Sequence, residues 1–222
     1  MPHVLQPPSI LLNALTLPGA SLCMTELPHT NVGLWLLDVD DTITLNVHDI
    51  GVFWQQLPYW AFAWAGGYAL ARYLADHPSL VAGKRVLDFG CGSGIAAIAA
   101  AKAGAKRVWV ADLDAMALTA AHANAALNQV TLHNVSAAWP EVDLLLAADV
   151  LYDISSGSDL SQLMQQTPAV CLAESRHIAE HRDVVLPHGL RNVATLASHT
   201  LPTIGDFDED VAVTLYHREQ LC

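Results

Sequence analysis

Basic side chains are scarce in this 222-residue chain. Three lysines (Lys84, Lys102, Lys106) and seven arginines stand against 22 acidic residues, for a formal net charge of −12. A protein that grips duplex DNA or long RNA by its phosphates needs a cationic surface to displace counterions. The deficit therefore argues against duplex nucleic acid as a partner. A basic or amine-bearing partner suits the field better. Cysteine is sparse too. Cys23, Cys91, Cys171 and Cys222 form no CxxC pair, so neither a zinc site nor a disulfide framework is signalled. Reduced thiols in a cytoplasmic-type compartment are expected. The histidines read as dispersed, and no metal is expected. No apolar run reaches the roughly 18 residues that span a bilayer, so no membrane association is expected. No Lys or Arg precedes Arg72, and prolines stand at 7, 8 and 18, which argues against a signal peptide.

What the chain has in quantity is apolar material. Hydrophobic residues make up 53%, charged residues only 14%, and the mean hydropathy is +0.32, enough to bury one large core. We read residues 1–56 as an N-terminal extension with short strands and residues 57–222 as the main domain. Residues 1–30 read as an irregular arm. Residues 32–39 and 43–47 are β-rich around an Asp-Asp turn signal and look like a hairpin or two short strands. A helix is expected over 67–77, stopped by Pro78.

From residue 85 strands and helices alternate: strand 85–89, helix 95–103, strand 107–111, helix 115–127 and a short strand within 130–135. Residues 142–148 form a continuous apolar run, the pattern of a central parallel strand buried on both faces. Helix 160–166 and strand 169–173 follow, and 192–198 and 211–217 are expected to pair as a hairpin. The fold class predicted is α/β: a doubly wound, mostly parallel seven-stranded sheet with a C-terminal antiparallel hairpin, Rossmann-like, plus an N-terminal β-containing extension.

The sharpest motif is Asp88-Phe89-Gly90-Cys91-Gly92-Ser93-Gly94. A strand ends, three glycines alternate, and an apolar helix begins. Such a loop lets backbone approach a ligand closely, and the helix offers unpaired N–H groups. The dinucleotide fingerprint is G-x-G-x-x-G/A; here the third glycine comes one place early, and Ile95 stands where Gly or Ala belongs. Asp88 sits badly beside a pyrophosphate and suits a ligand carrying an ammonium group, such as the methionine end of S-adenosylmethionine. Asp112, 22 residues after Gly90, can accept both hydroxyls of a ribose, a geometry shared by NAD and S-adenosylmethionine sites. The run 142–148 ends in Asp149-Val150-Leu151-Tyr152-Asp153. Beside the glycine-loop strand, Asp149 and Tyr152 would lie at the switch point of the sheet; the plainer reading is a helix-capping Asp followed by a core Tyr. Pro58 to Gly67 gathers Tyr59, Trp60, Phe62 and Trp64, either over a ligand or in the core.

On these residues the chain resembles the seven-strand (class I) methyltransferases. Within them it is similar to the lysine methyltransferase group that includes the enzyme acting on the electron-transfer-flavoprotein β subunit. The resemblance runs over residues 57–153. It rests on Trp64 to Gly67, the loop 88–94, Ala111-Asp112-Leu113-Asp114, Asn124 and Asn128, and Asp149-x-x-Tyr152. It implies S-adenosyl-L-methionine as cofactor and S-adenosyl-L-homocysteine as product. Trp64, Gly66 and Gly67 would lie against the cofactor; Asp88, Gly90, Cys91, Gly92 and Gly94 would hold its methionine part. Asp112, with Leu113 beside it, would meet the ribose. Trp139 would serve the adenine, although Ala138 precedes it where the family often has an acidic residue. Asp149 and Tyr152 would border the acceptor channel as the catalytic pair, with Asp149 also among the cofactor contacts. The implied activity is N-methylation of a protein lysine, for example on an electron-transfer-flavoprotein β subunit or a ribosomal protein. Relatives also methylate small amines, and the fold can be kept without turnover.

Two rival motifs are present. Asp38-x-Asp40-x-Thr42, with the acidic run 205–210, matches haloacid-dehalogenase-type phosphatases, but no lysine follows residue 106 to complete that site. An NAD-linked oxidoreductase is disfavoured by the glycine spacing.

Overall fold

The computed structural model describes residues 6–17, 19–38, 57–151, 157–175, 188–203 and 210–219. The helices are α1 (Ser9–Asn13), α2 (Ala65–Asp76), α3 (Ile95–Lys102), α4 (Ala115–Leu127) and α5 (Gly157–Gln166). The strands are β1 (Ser21–Leu27), β2 (Val32–Asp38), β3 (Arg85–Phe89), β4 (Arg107–Ala111), β5 (His133–Asn134), β6 (Leu144–Ala148), β7 (Ala169–Glu174), β8 (Arg191–Ser198) and β9 (Val211–Glu219).

Seven strands form one sheet in the order β5-β4-β3-β6-β7-β9-β8. β3 through β7 run parallel, and β9 lies antiparallel between β7 and β8. The predicted doubly wound sheet with its terminal antiparallel pair is therefore present.

The alternation of side chains across the strands explains the layers. Val86, Leu144, Leu146 and Cys171 face a core shared with α2 and α3, whereas Leu87, Leu145, Val170 and Leu172 face Leu160, Leu163 and Met164 of α5. Ala96, Ala97, Ala99 and Ala100 are buried, and these small side chains let α3 lie close against the sheet. Order reverses at β3, which has β4 on one side and β6 on the other, so the loops leaving β3 and β6 diverge and open a crevice.

The N-terminal expectations need correction. β2 pairs antiparallel with β1, from Ser21 opposite Asp38 to Leu27 opposite Val32. Residues 1–30 are thus not simply an irregular arm: they hold β1 and the short helix α1. β1 buries only Leu22 and Leu27, which left no clean period-two signal. The expected strand 43–47 lies outside the described residues. The hairpin packs Leu22, Trp35 and Leu37 against Ala117 and Ala120 of α4.

Candidate functional site

The turn after β3 is built by backbone geometry that glycine alone adopts freely. Gly90, Gly92 and Gly94 have φ of +70°, +51° and +79°. The N–H groups of Gly90 and Cys91 both donate to the Ala111 carbonyl, at 2.8 and 3.1 Å, which ties the turn to the end of β4. A Cβ on Gly94 would stand 2.8 Å from the Ala121 Cβ, so α3 begins in contact with α4. A Cβ on Gly92 would meet nothing within 4 Å, so this side of the loop faces open space.

Asp112 is joined to that loop directly. The Gly92 N–H donates to Asp112 Oδ2 at 2.9 Å, and the Asp114 N–H donates to Oδ1 at 3.0 Å. Asp114 then caps α4 by accepting from the Met116 N–H at 2.8 Å. Burial pushes the Asp112 carboxyl above its ordinary range.

Asp88 is 2% exposed and accepts the Ala97 N–H at 3.0 Å, satisfying a donor in the first turn of α3. Burial pushes it up to about 7, and the neighbouring Asp112 charge adds to the rise. Burial also keeps the Cys91 thiol protonated well above its ordinary pKa.

Asp149 follows β6 with φ of +49°, an uncommon backbone conformation for a residue with a side chain. Both carboxylate oxygens are engaged. Oδ2 accepts the Gly66 N–H at 2.7 Å, and Oδ1 accepts the Ser175 N–H at 2.9 Å. Its own N–H donates to the Ala173 carbonyl at 2.9 Å. One side chain thus ties the start of α2 to the ends of β6 and β7. Val150 closes against the glycine loop, since a Cβ on Gly90 would lie 2.5 Å from its Cγ1.

Trp64 precedes α2, donates Nε1–H to the Tyr59 carbonyl at 3.0 Å and stacks on the Tyr59 ring at 5.4 Å. Gly67 lies where α2 meets α3; a Cβ there would be 2.9 Å from Ile95 Cγ2. Beyond β4, Leu113 is 74% exposed, and Trp139 is 37% exposed with its ring 5.9 Å from that of Phe89.

The structure therefore joins the loop 90–94 to Asp112 and, separately, Gly66 to Asp149. Tyr152 lies outside the described residues. Glu174 was missed. It closes β7, is 3% exposed and accepts the Val150 N–H at 3.3 Å. An acidic residue directly after the apolar run 169–173 was the available signal.

Among the described residues, no three His, Cys, Asp or Glu side chains gather as metal ligands. The view that the histidines are dispersed overlooked His177 and His181, four apart with Glu180 between them; these lie outside the described residues. Among the described residues no helix is long and apolar enough to cross a membrane. Asp38 ends an exposed edge of the β1–β2 hairpin, bonded by the Ser21 hydroxyl at 3.4 Å, not at the mouth of the parallel sheet where a nucleophile would be presented. Asp40 and Thr42 lie outside the described residues.

Strand order, glycine loop and the antiparallel β9 decide the architecture. This is the class I methyltransferase fold. Residues 73–155 match the family model for ribosomal protein L11 methyltransferase (PrmA). An electron transfer flavoprotein beta subunit lysine methyltransferase of Danio rerio is 42% identical over 114 residues, covering 49% of this chain and 44% of that protein. A ribosomal protein L11 methyltransferase of Dichelobacter nodosus is 51% identical over 80 residues, covering 34% of this chain and 27% of that protein. The matched stretch thus spans less than half of either relative. Among solved structures, the Pyrococcus abyssi tRNA (uracil-54, C5)-methyltransferase in complex with S-adenosyl-L-homocysteine superposes with a TM-score of 0.54 at 16% identity, over 89% of this chain and 44% of that one.

Proposed function

We propose that this chain is an S-adenosyl-L-methionine-dependent N-methyltransferase acting on a protein lysine. The observation that carries the reading is the bond from Gly92 N–H to Asp112. It sets an open, glycine-lined turn at a helix start beside a carboxylate on the neighbouring strand. That donor set fits an adenosyl sulfonium ligand: free loop face for the methionine part, Asp112 for the ribose hydroxyls, and the exposed apolar surfaces of Leu113 and Trp139 for the adenine. An ammonium group bound beside the loop would favour the ionised form of Asp88, which lies beneath it. Trp64, Gly66 and Gly67 close the site from the start of α2.

S-adenosyl-L-methionine supplies an electrophilic methyl group on a sulfonium. The chain's part is to present a neutral amine in line with it, so that the amine lone pair forms the new N–C bond while the S–C pair stays on sulfur. A free lysine has a pKa of about 10.4, so a proton must leave to water first, and desolvation in the channel favours that loss. Asp149 is spent on two backbone N–H groups and serves to hold the channel wall, not as a strong base. Tyr152 is assigned to the acceptor side. Orientation of the two reactants supplies most of the acceleration. The curated relatives named for the flavoprotein β subunit and for ribosomal protein L11 support a protein acceptor of that kind. A reducing, cytoplasm-like compartment suits the free thiols of Cys23, Cys91 and Cys171.

The test is calorimetry with S-adenosyl-L-methionine and, separately, NAD, followed by labelled methyl transfer to a protein extract and analysis of the labelled amino acids. Binding of the first ligand alone and label in methyl-lysine are expected. Absence of binding sinks the cofactor reading; label confined to small amines overturns the acceptor class.

A further inference from the structure

Two asparagines on α4 meet the edge of β2 that is turned away from β1. Asn124 Oδ1 accepts the Trp35 N–H at 2.8 Å. Asn128 pairs with both groups of Gly33: Oδ1 accepts its N–H at 3.0 Å, and Nδ2 donates to its carbonyl. Asn128 also donates to the Asn124 carbonyl at 2.8 Å and accepts from Lys102 Nζ at 3.2 Å. The match is metric. Four residues of helix rise about 6 Å, and two residues of strand rise about 6.6 Å, so asparagines at i and i+4 address alternate strand residues. Helix side chains thus take, at Gly33 and Trp35, backbone bonds of the kind a further strand would make.

Asn124 differs from Asn128 in one respect. It is 0% exposed, and its Nδ2 donates to the carbonyl of Ser93, inside the glycine loop, at 2.9 Å. One buried amide therefore spans from Trp35 to Ser93. An amide that loses one partner in such surroundings leaves a buried polar group unsatisfied. Asn124 is thus held in one orientation only while both the hairpin and the loop are in place.

We propose that Asn124 is a positioning residue that makes glycine-loop geometry and docking of the N-terminal hairpin mutually dependent. The inference rests on the reading of that loop as the cofactor loop. The hairpin, although it precedes residue 57, then belongs to the cofactor site in function. Because coupling is reciprocal, a ligand that fixes the loop must also tighten the hairpin.

Amide exchange on the full chain tests this. In Asn124→Ala, exchange of the Ser93 and Gly94 amides in the ligand-free protein should quicken at least tenfold. In Asn128→Ala, which loosens the same hairpin at Gly33 without a direct bond to the loop, it should quicken too, by a smaller factor of at least threefold. In the wild type, S-adenosyl-L-methionine should slow exchange of the Trp35 amide severalfold, an effect lost in Asn124→Ala. Asn124→Ser, whose hydroxyl is too short to span both partners, should give the same pattern and serves if the alanine variant does not fold. Loop exchange that stays within twofold of the wild type in Asn128→Ala, or no change in either variant, overturns the proposal. A wild type that does not bind the cofactor sinks the cofactor reading instead, and the ligand-free comparison still decides the coupling.

Discussion

The Gly66 N–H lies 2.7 Å from Asp149 Oδ2, and a Cβ placed on Gly66 would stand 2.5 Å from that same oxygen. The carboxylate occupies the volume any side chain at 66 would need. It also meets one of the N–H groups that the first turn of α2 leaves without a helical partner, where negative charge is favoured.

Asp149→Asn keeps the shape but brings an NH2 toward one of the two backbone N–H groups. We expect a folded protein that has lost about 1–3 kcal/mol and transfers methyl at least tenfold more slowly. Gly66→Ala should act on the same contact from the other side. The double variant should therefore fall well short of the summed losses, measured as a double-mutant cycle on stability and on kcat/KM. Additive losses would separate the two residues.

Gly92 and Gly94 are expected to fail differently. Gly94→Ala forces a left-handed backbone on a residue with a side chain and drives its Cβ to 2.9 Å from Ala121 Cα, so stability should drop by roughly 1–3 kcal/mol in thermal melts. Gly92→Arg carries the strain of its left-handed backbone, about 1–2 kcal/mol, but projects into open space, so it should leave the fold standing while abolishing cofactor binding in calorimetry.

Trp139 is partly exposed against Phe89, and its replacement by alanine removes an apolar surface assigned to the adenine. Cofactor affinity should fall about tenfold, with little change in melting temperature. Unchanged affinity would move the adenine elsewhere.

Asp88 gives the folded chain a pH dependence of stated sign. Its carboxyl is raised to about 7 by burial, whereas in the unfolded chain it titrates near ~4. Between those values the folded state keeps a proton that the unfolded state has released. The resulting stabilisation is full below about pH 4 and lost as pH rises through about 7. Asp112, raised by burial as well, adds in the same direction. Asp88→Asn should flatten the stability curve over this range and gain on the wild type above pH 7, as followed by urea unfolding at several pH values.

Much of this architecture was legible in the sequence because local and long-range signals agreed. The runs that became β3 and β4 bury mostly apolar side chains, with Asp88 the buried exception in β3, and Asp114 marks the start of α4 by its capping side chain. The hairpin partner of β2 was not legible. β1 alternates poorly, and the groups that hold β2 to α4 are asparagine amides whose role exists only across 89 and 95 residues of chain. Asp149 was legible as a site candidate by its place after an apolar run. Its commitment to Gly66 and Ser175 depends on a left-handed backbone that no spacing rule foretells.

The placement of β9 between β7 and β8 sets an order of assembly. β8 leaves the ribosome first, yet it reaches the sheet only through a strand made later. Until residue 219 has emerged, the nascent chain carries the open flank of β7 and a β8 that lacks its sheet partner. β8 is then held by bonds to α2 such as those from Arg72 to the Ala197 carbonyl and from the Ser198 hydroxyl to the Ala65 carbonyl. Both edges are ready to pair with another molecule. Translation pauses before that point should therefore raise the yield of aggregate without altering the finished protein.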